Sequence, residues 1–269
     1  MYVFAAIVST LFCVPASEGI RYQPIGGVPY AVSSLTDCRR PTGMTHCTFP
    51  ADYTVPVSIA DRIKTVDYDI GIYANRINDS NCIEAVTKVL CDLLVQPKCL
   101  GNGMVAYEPG FPQRCNAALA KCGKAKAAWR TYLCDNPLLD VAGIYSMTKC
   151  VTPNVNGCIN TASSPEWIAY QAEKAIPSDF TETLRARGYS SNCTALFARF
   201  TCTLATCGSN NQMLMTLTRK NCDAVIQCSP ADVKSVLQHT LGCDDFPIAA
   251  ALSPTSAARS VAMAMRNLV

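Results

Sequence analysis

The chain has few histidines: only His46 and His239 occur among its 269 residues. Two histidines leave little material for a histidine-based active site or a zinc cluster. The sequence also lacks G-x-S-x-G, H-E-x-x-H, P-loop and C-x-x-C motifs. These absences predict a non-enzymatic protein with no cofactor and no metal site.

Charge is sparse as well, with 16% charged residues and a net charge of +3. A balance this small gives no argument for a nucleic-acid partner. The hydrophobic fraction of 49% excludes a disordered chain, which would have low hydrophobicity and high net charge.

Long apolar runs are missing too. The Ala-rich stretch 248–269 is interrupted by Arg259 and Arg266, so we expect a flexible tail and no integral membrane segment. At the other end, the uncharged run from Tyr2 to Val14 is too short to span a bilayer, and the small residues Ala16 and Gly19 follow it. This pattern predicts a secretory signal peptide over residues 1–19 and a secreted, extracellular protein.

Cysteine, by contrast, is abundant. Cleavage of the signal peptide removes Cys13 and leaves 16 of the 17 cysteines, an even number in an oxidising compartment. They form two series of eight with closely matched gaps: 38, 47, 82, 91, 99, 115, 122, 134 and 150, 158, 193, 202, 207, 222, 228, 243. The matching gaps predict a tandem duplication with domains at 38–140 and 145–247.

The segments between the cysteines favour helices. The stretch from Cys82 to Leu94 places apolar residues at spacings of three, four and seven, and residues 193–202 repeat the design. Strand signals are few and short. We therefore predict a mainly α fold: two small, disulfide-rich helical domains in tandem.

The cysteine pattern resembles the cysteine-rich domain of the frizzled family, which is mainly helical and contains ten cysteines. The family's central run has two cysteines separated by eight residues, the last of them leucine, and then Pro-x-Cys-Leu. It is similar to Cys82 to Cys91, with Leu90 before the second cysteine, followed by Pro97–Leu100. Its early Y-T-x-M-P element resembles Tyr53–Pro56, and its closing C-x-x-F/L-P element resembles Cys243–Pro247. The resemblance covers nearly all of residues 38–247.

Two departures agree with each other. The family's sixth cysteine would stand at Phe111 and Thr218, and its partner, the tenth, is also missing from both halves. One whole bridge is therefore absent from each repeat. Eight cysteines allow 105 pairings, and the family connectivity implies these: Cys38–Cys99, Cys47–Cys91, Cys82–Cys122, Cys115–Cys134, Cys150–Cys207, Cys158–Cys202, Cys193–Cys228 and Cys222–Cys243.

The resemblance also implies a function. Frizzled domains bind lipidated Wnt proteins through an apolar groove, and structural relatives bind sterols or folate. We therefore expect a lipidic or lipid-modified protein ligand, with Tyr53, Pro56 and Ile59 at the rim of a groove in the first half. Neither half carries a sequence mark specific for Wnt.

Two other interpretations stay open. One is an extracellular structural or protein-interaction module without a small ligand. The other is an elicitin-like sterol carrier, since Cys202, Cys207 and Cys222 have the spacing of an elicitin segment. Under each interpretation, the sequons at Asn78 and Asn192 predict N-glycosylation.

Overall fold

A computed structural model describes residues 20–60, 63, 67, 70–71, 79–94, 97–125, 130, 134–135, 140–177, 179–241 and 243–248. The predicted signal peptide, nearly all of the predicted tail and the sequon residue Asn78 lie outside the described residues. Within those ranges, no helix is long and apolar enough to cross a membrane.

The chain divides into two compact units. The first unit contains residues 36–147, and the second combines the segment before residue 36 with residues 148 onward. The predicted domains, 38–140 and 145–247, cover the cysteine-bearing parts of these units. They omit residues 20–35, which belong to the second unit, and they do not assign residues 143–147 to the first.

In the first unit, β2 (Cys38–Arg39) pairs with β3 (Val55–Pro56), and β4 (Lys98–Cys99), β5 (Met104–Tyr107) and β6 (Gly143–Ser146) form an antiparallel sheet in that order. Residues 57–60 begin a helical stretch, and two helices with described bounds follow, α1 (Ser80–Leu94) and α2 (Phe111–Leu119). A 3₁₀ turn at Ala120–Ala125 comes after α2. The buried faces of the two helices supply much of the core: Val86, Val89, Leu90, Phe111 and Leu119.

In the second unit, β1 (Tyr30–Ser34) is the edge of a sheet with the order β1, β10 (Gln212–Met215) and β9 (Thr206–Cys207), and β7 (Cys150–Val151) pairs with β8 (Ser164–Pro165). The helices are α3 (Glu166–Ala175), α4 (Phe180–Ala186), α5 (Ser191–Thr201), α6 (Arg219–Cys228) and α7 (Ala231–Leu241), and a 3₁₀ turn spans Cys243–Asp245. Trp167, Leu184, Phe197 and Phe200 are buried at its core.

The prediction of a mainly α fold is wrong. The structure is 44% helical with 16% strand, and the strands of its described part form four small sheets, so the fold is mixed α/β. The described strands are two to five residues long, and alternation of apolar and polar residues is recognisable only over about four to eight residues. Cysteines rather than apolar alternation mark several of these strands, since Cys38, Cys99, Cys150 and Cys207 all lie in strands.

Each unit contains four disulfides that join residues of that unit, eight in all, with Cα–Cα distances between 4.3 and 6.5 Å. Their pairs are those that the frizzled connectivity implies: Cys38–Cys99, Cys47–Cys91, Cys82–Cys122, Cys115–Cys134, Cys150–Cys207, Cys158–Cys202, Cys193–Cys228 and Cys222–Cys243. Small domains with limited cores depend on such crosslinks, each of which contributes about 2–4 kcal/mol.

Candidate ligand cleft in the first unit

The first unit contains an open cleft of about 550 Å³, a volume within the range of about 300–1,000 Å³ that small-ligand sites occupy. Four parts of the chain line it: the loop before β3, one face of α1, the β4–β5 hairpin with the residue that follows it, and the first turns of α2. The lining residues are His46, Thr48, Phe49, Pro50, Tyr53, Glu84, Thr87, Lys88, Cys91, Asp92, Lys98, Ala106, Glu108 and Arg114.

A buried carboxylate, that of Asp67, holds the loop that brings His46 and Thr48 to the cleft. Asp67 is 4% exposed and accepts hydrogen bonds from the backbone N–H groups of Thr45, His46 and Cys47, at 2.6–2.7 Å. Three donors satisfy an anion that would be very unfavourable in the core without partners. The Cys47–Cys91 disulfide then ties the same loop to α1.

Helix α1 places Glu84, Lys88 and Asp92 four residues apart along the wall of the cleft. Residues four apart lie on one face of a helix, so the three charges form one line in which acid and base alternate. On the opposite side, Val89 and Leu90 face the core. This helix therefore stabilises the unit with one face and presents charge to the cleft with the other.

Tyr53 is the aromatic centre of the cleft. Its ring stacks on Phe49 with a centroid separation of 5.6 Å, and Nζ of Lys98 lies 5.5 Å from its ring centroid. Lys98 also forms a 3.6 Å ion pair with Asp52. Burial raises the pKa of the Tyr53 hydroxyl, and the carboxylates of Glu108 and Asp92 raise it further. Tyr53 therefore presents a neutral hydroxyl to the cleft, close to two acidic groups.

Burial likewise raises the pKa of Asp92. The charges of Arg114 and Lys88 oppose the increase, while Glu108 adds to it. The partly buried position of Asp92 in the cleft wall makes its ionised form less favourable than that of a carboxylate on an open surface. Such shifts in pKa are common at binding sites.

We predict that Asp92→Asn raises the melting temperature of the first unit at neutral pH. A carboxyl whose pKa is raised in the folded state adds stability below its ordinary pKa and loses that contribution as the pH rises through the raised value. The difference in melting temperature between wild type and Asp92→Asn should therefore grow as the pH rises from about 4 through the raised pKa of Asp92, and then level off. Asp52→Asn, which removes an exposed carboxylate from the same unit, is the control. A difference that shrinks as the pH rises would contradict the prediction.

Arg114 closes the cleft from α2. One guanidinium nitrogen donates to the carbonyl of Pro109, but Nε is buried without a hydrogen-bond partner in the described part of the chain. Buried donors almost always have acceptors. Arg114 therefore carries an unpaired donor inside the wall of the cleft, out of reach of solvent.

The residues predicted from the sequence are not all at the cleft. Tyr53 lines it, whereas Pro56 and Ile59 are buried and do not. Pro56 pairs with Cys38 across the β2–β3 ladder, and Ile59 is 1% exposed at the start of the helical stretch that follows. Both side chains pack inside the unit.

The glycosylation site at Asn192 is exposed in the first turn of α5, but the hydroxyl-bearing residue of its sequon, Thr194, is completely buried. Cys193 between them is bonded to Cys228. Glycosylation of Asn192 would therefore have to precede folding of α5.

The charged residues of the cleft were not among the site residues predicted from the sequence: Glu84, Lys88, Asp92, Lys98, Glu108 and Arg114. The four-residue spacing along α1 was a usable signal. Among the described residues, no group of three or more His, Cys, Asp or Glu side chains is placed to hold a metal ion.

Comparison of the chain with protein-family models, curated proteins and solved structures finds no match. The likeness to frizzled domains therefore rests on the cysteine spacing and the short motifs within it.

Proposed function

We propose that the chain is a secreted, non-enzymatic binding protein built from two frizzled-like repeats, and that the first repeat binds its ligand in the cleft at Tyr53. The observation that carries the proposal is a preformed cleft of about 550 Å³ in a unit held by four disulfides. A rigid frame of this kind keeps a concave surface open without collapse, which lowers the conformational entropy lost on binding. Eight disulfides are consistent with an extracellular protein.

The lining of the cleft favours a ligand with polar groups. Three acidic and three basic side chains face it, namely Glu84, Asp92, Glu108, Lys88, Lys98 and Arg114. Burial of these charges under a bare acyl chain would leave them without water and without new partners, at a cost of several kcal/mol. The family's ligand class, a lipid-modified protein, agrees with the cleft if the polypeptide part of that ligand makes the contacts.

A lipidic ligand is the second candidate, because Phe49, Pro50 and Tyr53 give one end of the cleft an apolar surface. An acyl chain gains roughly 0.8 kcal/mol per buried CH₂ group. A short or partly exposed chain could therefore lie against this end while a polar head contacts the charges.

Native mass spectrometry of the secreted protein, with organic extraction of bound molecules, separates the candidates. Ala106→Trp places a large side chain on a cleft-lining strand position, and Ala231→Trp makes the same change at an exposed position of α7. We expect binding of the physiological ligand to survive Ala231→Trp and to be lost in Ala106→Trp. Recovery of a sterol or fatty acid from wild type and from Ala231→Trp, but not from Ala106→Trp, would favour the lipid candidate. Equal binding by both variants would rule out the cleft as the ligand site.

A further inference from the structure

The second unit holds an extended segment of its own chain against the backbone on either side of Cys158. The backbone N–H of Tyr22 donates to the carbonyl of Gly157 at 2.7 Å, and the N–H of Ile159 donates to the carbonyl of Tyr22 at 2.8 Å. These bonds form a parallel bridge between Tyr22 and Cys158. The side chains of Tyr22 and Ile25 are buried.

Three side chains form further hydrogen bonds with the backbone of this segment. Arg199 Nε donates to the carbonyl of Gln23 at 3.4 Å, and Thr203 Oγ1 accepts from the N–H of Ile25 at 2.7 Å. Thr216 Oγ1 donates to the carbonyl of Ile25 at 3.0 Å. Residues 22–25 are thus bound through their backbone, in the manner of a peptide ligand.

Counting from matching cysteines of the two repeats gives each of these five contact positions an equivalent in the first unit. Gly157 and Ile159 flank Cys158 as His46 and Thr48 flank Cys47, and Arg199 and Thr203 stand around Cys202 as Lys88 and Asp92 stand around Cys91. Thr216 and Glu108 each lie nine residues after the fifth cysteine of their repeat. All five equivalents line the cleft: His46, Thr48, Lys88, Asp92 and Glu108.

We propose that the cleft of the first unit binds an extended polypeptide segment of a partner protein, with its backbone in the place that residues 22–25 take in the second unit. This inference rests on the proposed function and specifies its ligand. Lys88 would donate to a peptide carbonyl as Arg199 does, and the Asp92 carboxylate would accept a peptide N–H as Thr203 does.

Charge at the remaining position defines the partner further. The Thr216 hydroxyl donates to a carbonyl, but its equivalent, Glu108, is a carboxylate and accepts only. A ligand group that contacts the Glu108 carboxylate must therefore be a donor. In the second unit, a Cβ added to Gly27 would lie 3.6 Å from Cβ of Thr216, so a side chain at this point of the segment faces that position. A lysine or arginine there would pair with Glu108, and the partner segment is accordingly extended and basic.

The probes are two fluorescent, N-acetylated peptides with the sequence of residues 20–28, one carrying Gly27→Lys and the other Gly27→Glu. Fluorescence anisotropy measures their binding to the full-length, disulfide-bonded protein. We expect the lysine peptide to bind about tenfold more tightly than the glutamate peptide, because a lysine ammonium forms a charge-assisted hydrogen bond with the Glu108 carboxylate and a glutamate carboxylate is repelled by it. Glu108→Gln should abolish that preference, whereas Glu182→Gln, which removes an exposed carboxylate from the second unit, should retain it.

Equal affinity for the two peptides, or a preference that persists in Glu108→Gln, would overturn the inference. The proposed function is tested by a separate comparison, that of Ala106→Trp with Ala231→Trp. If the peptides fail but a physiological ligand is still lost only in Ala106→Trp, the cleft is a ligand site and the peptide assignment alone falls. If that pair also binds equally, the proposed function falls with it.

Discussion

Removal of residues 20–35, with residues 1–19 retained, should abolish the native fold of the second unit. The deleted segment supplies β1, which pairs with β10 from Tyr30↔Met215 to Ser34↔Gln212. It also buries five apolar side chains in that unit: Tyr22, Ile25, Tyr30, Val32 and Leu35. At about 1.5–3 kcal/mol for each buried side chain, the loss is on the order of 10 kcal/mol. That equals the entire unfolding free energy of a typical domain.

Hydrogen–deuterium exchange can resolve this effect by unit. Amides of α5 and α6, in the second unit, should lose protection in the truncated protein, while amides of α1 in the first unit should keep it. A synthetic peptide of residues 20–35 should restore protection when added in trans, and a scrambled peptide of the same composition should not. Full protection of α5 in the truncated protein without added peptide would refute the prediction.

Strand β1 precedes the first unit in the chain but belongs to a sheet of the second, and this makes the domain boundaries hard to predict. β1 pairs with a strand whose residues lie about 180 positions away in the chain, and no local pattern encodes such a pairing. One signal was present, since Ser34–Cys38 reads S-L-T-D-C and Ser146–Cys150 reads S-M-T-K-C. In both repeats the strand before this motif joins a sheet of the unit other than the one that contains the following cysteine.

The cysteine pattern, in contrast, carried long-range information. Gaps matched over two series of eight indicated the duplication, and the periodicity of Cys82 to Leu94 indicated α1. A disulfide framework can be recognised in a sequence because only cysteine forms the bridges, so residue type alone marks the bonded positions. A cleft is visible only in part, since a charge on a helix is usually solvated and nothing local separates Asp92 from an ordinary surface acid.

The second large effect is expected at Phe111, which stands where frizzled domains have the sixth cysteine. Its side chain is 1% exposed at the start of α2, so Phe111→Ala would empty a large buried site and should lower the unfolding free energy of the first unit by about 3–5 kcal/mol. Thr218, the equivalent in the second unit, instead forms a capping box with Asn221 at the start of α6. Thr218→Ala should lower the stability of its unit by only about 1 kcal/mol.

Chemical unfolding with the disulfides intact, followed by exchange at amides of α2 and α6, measures both variants. Phe111→Leu, which keeps most of the apolar volume, is the matched control and should recover most of the loss. Equal effects of Phe111→Ala and Thr218→Ala would contradict the assignment. A disulfide contributes about 2–4 kcal/mol, a range that burial of Phe111 matches and a helix cap does not reach. If the bridge was lost from an ancestral repeat, the first unit has therefore replaced its stabilisation by packing. In the second unit, the capping box of Thr218 and Asn221 satisfies the helix terminus instead.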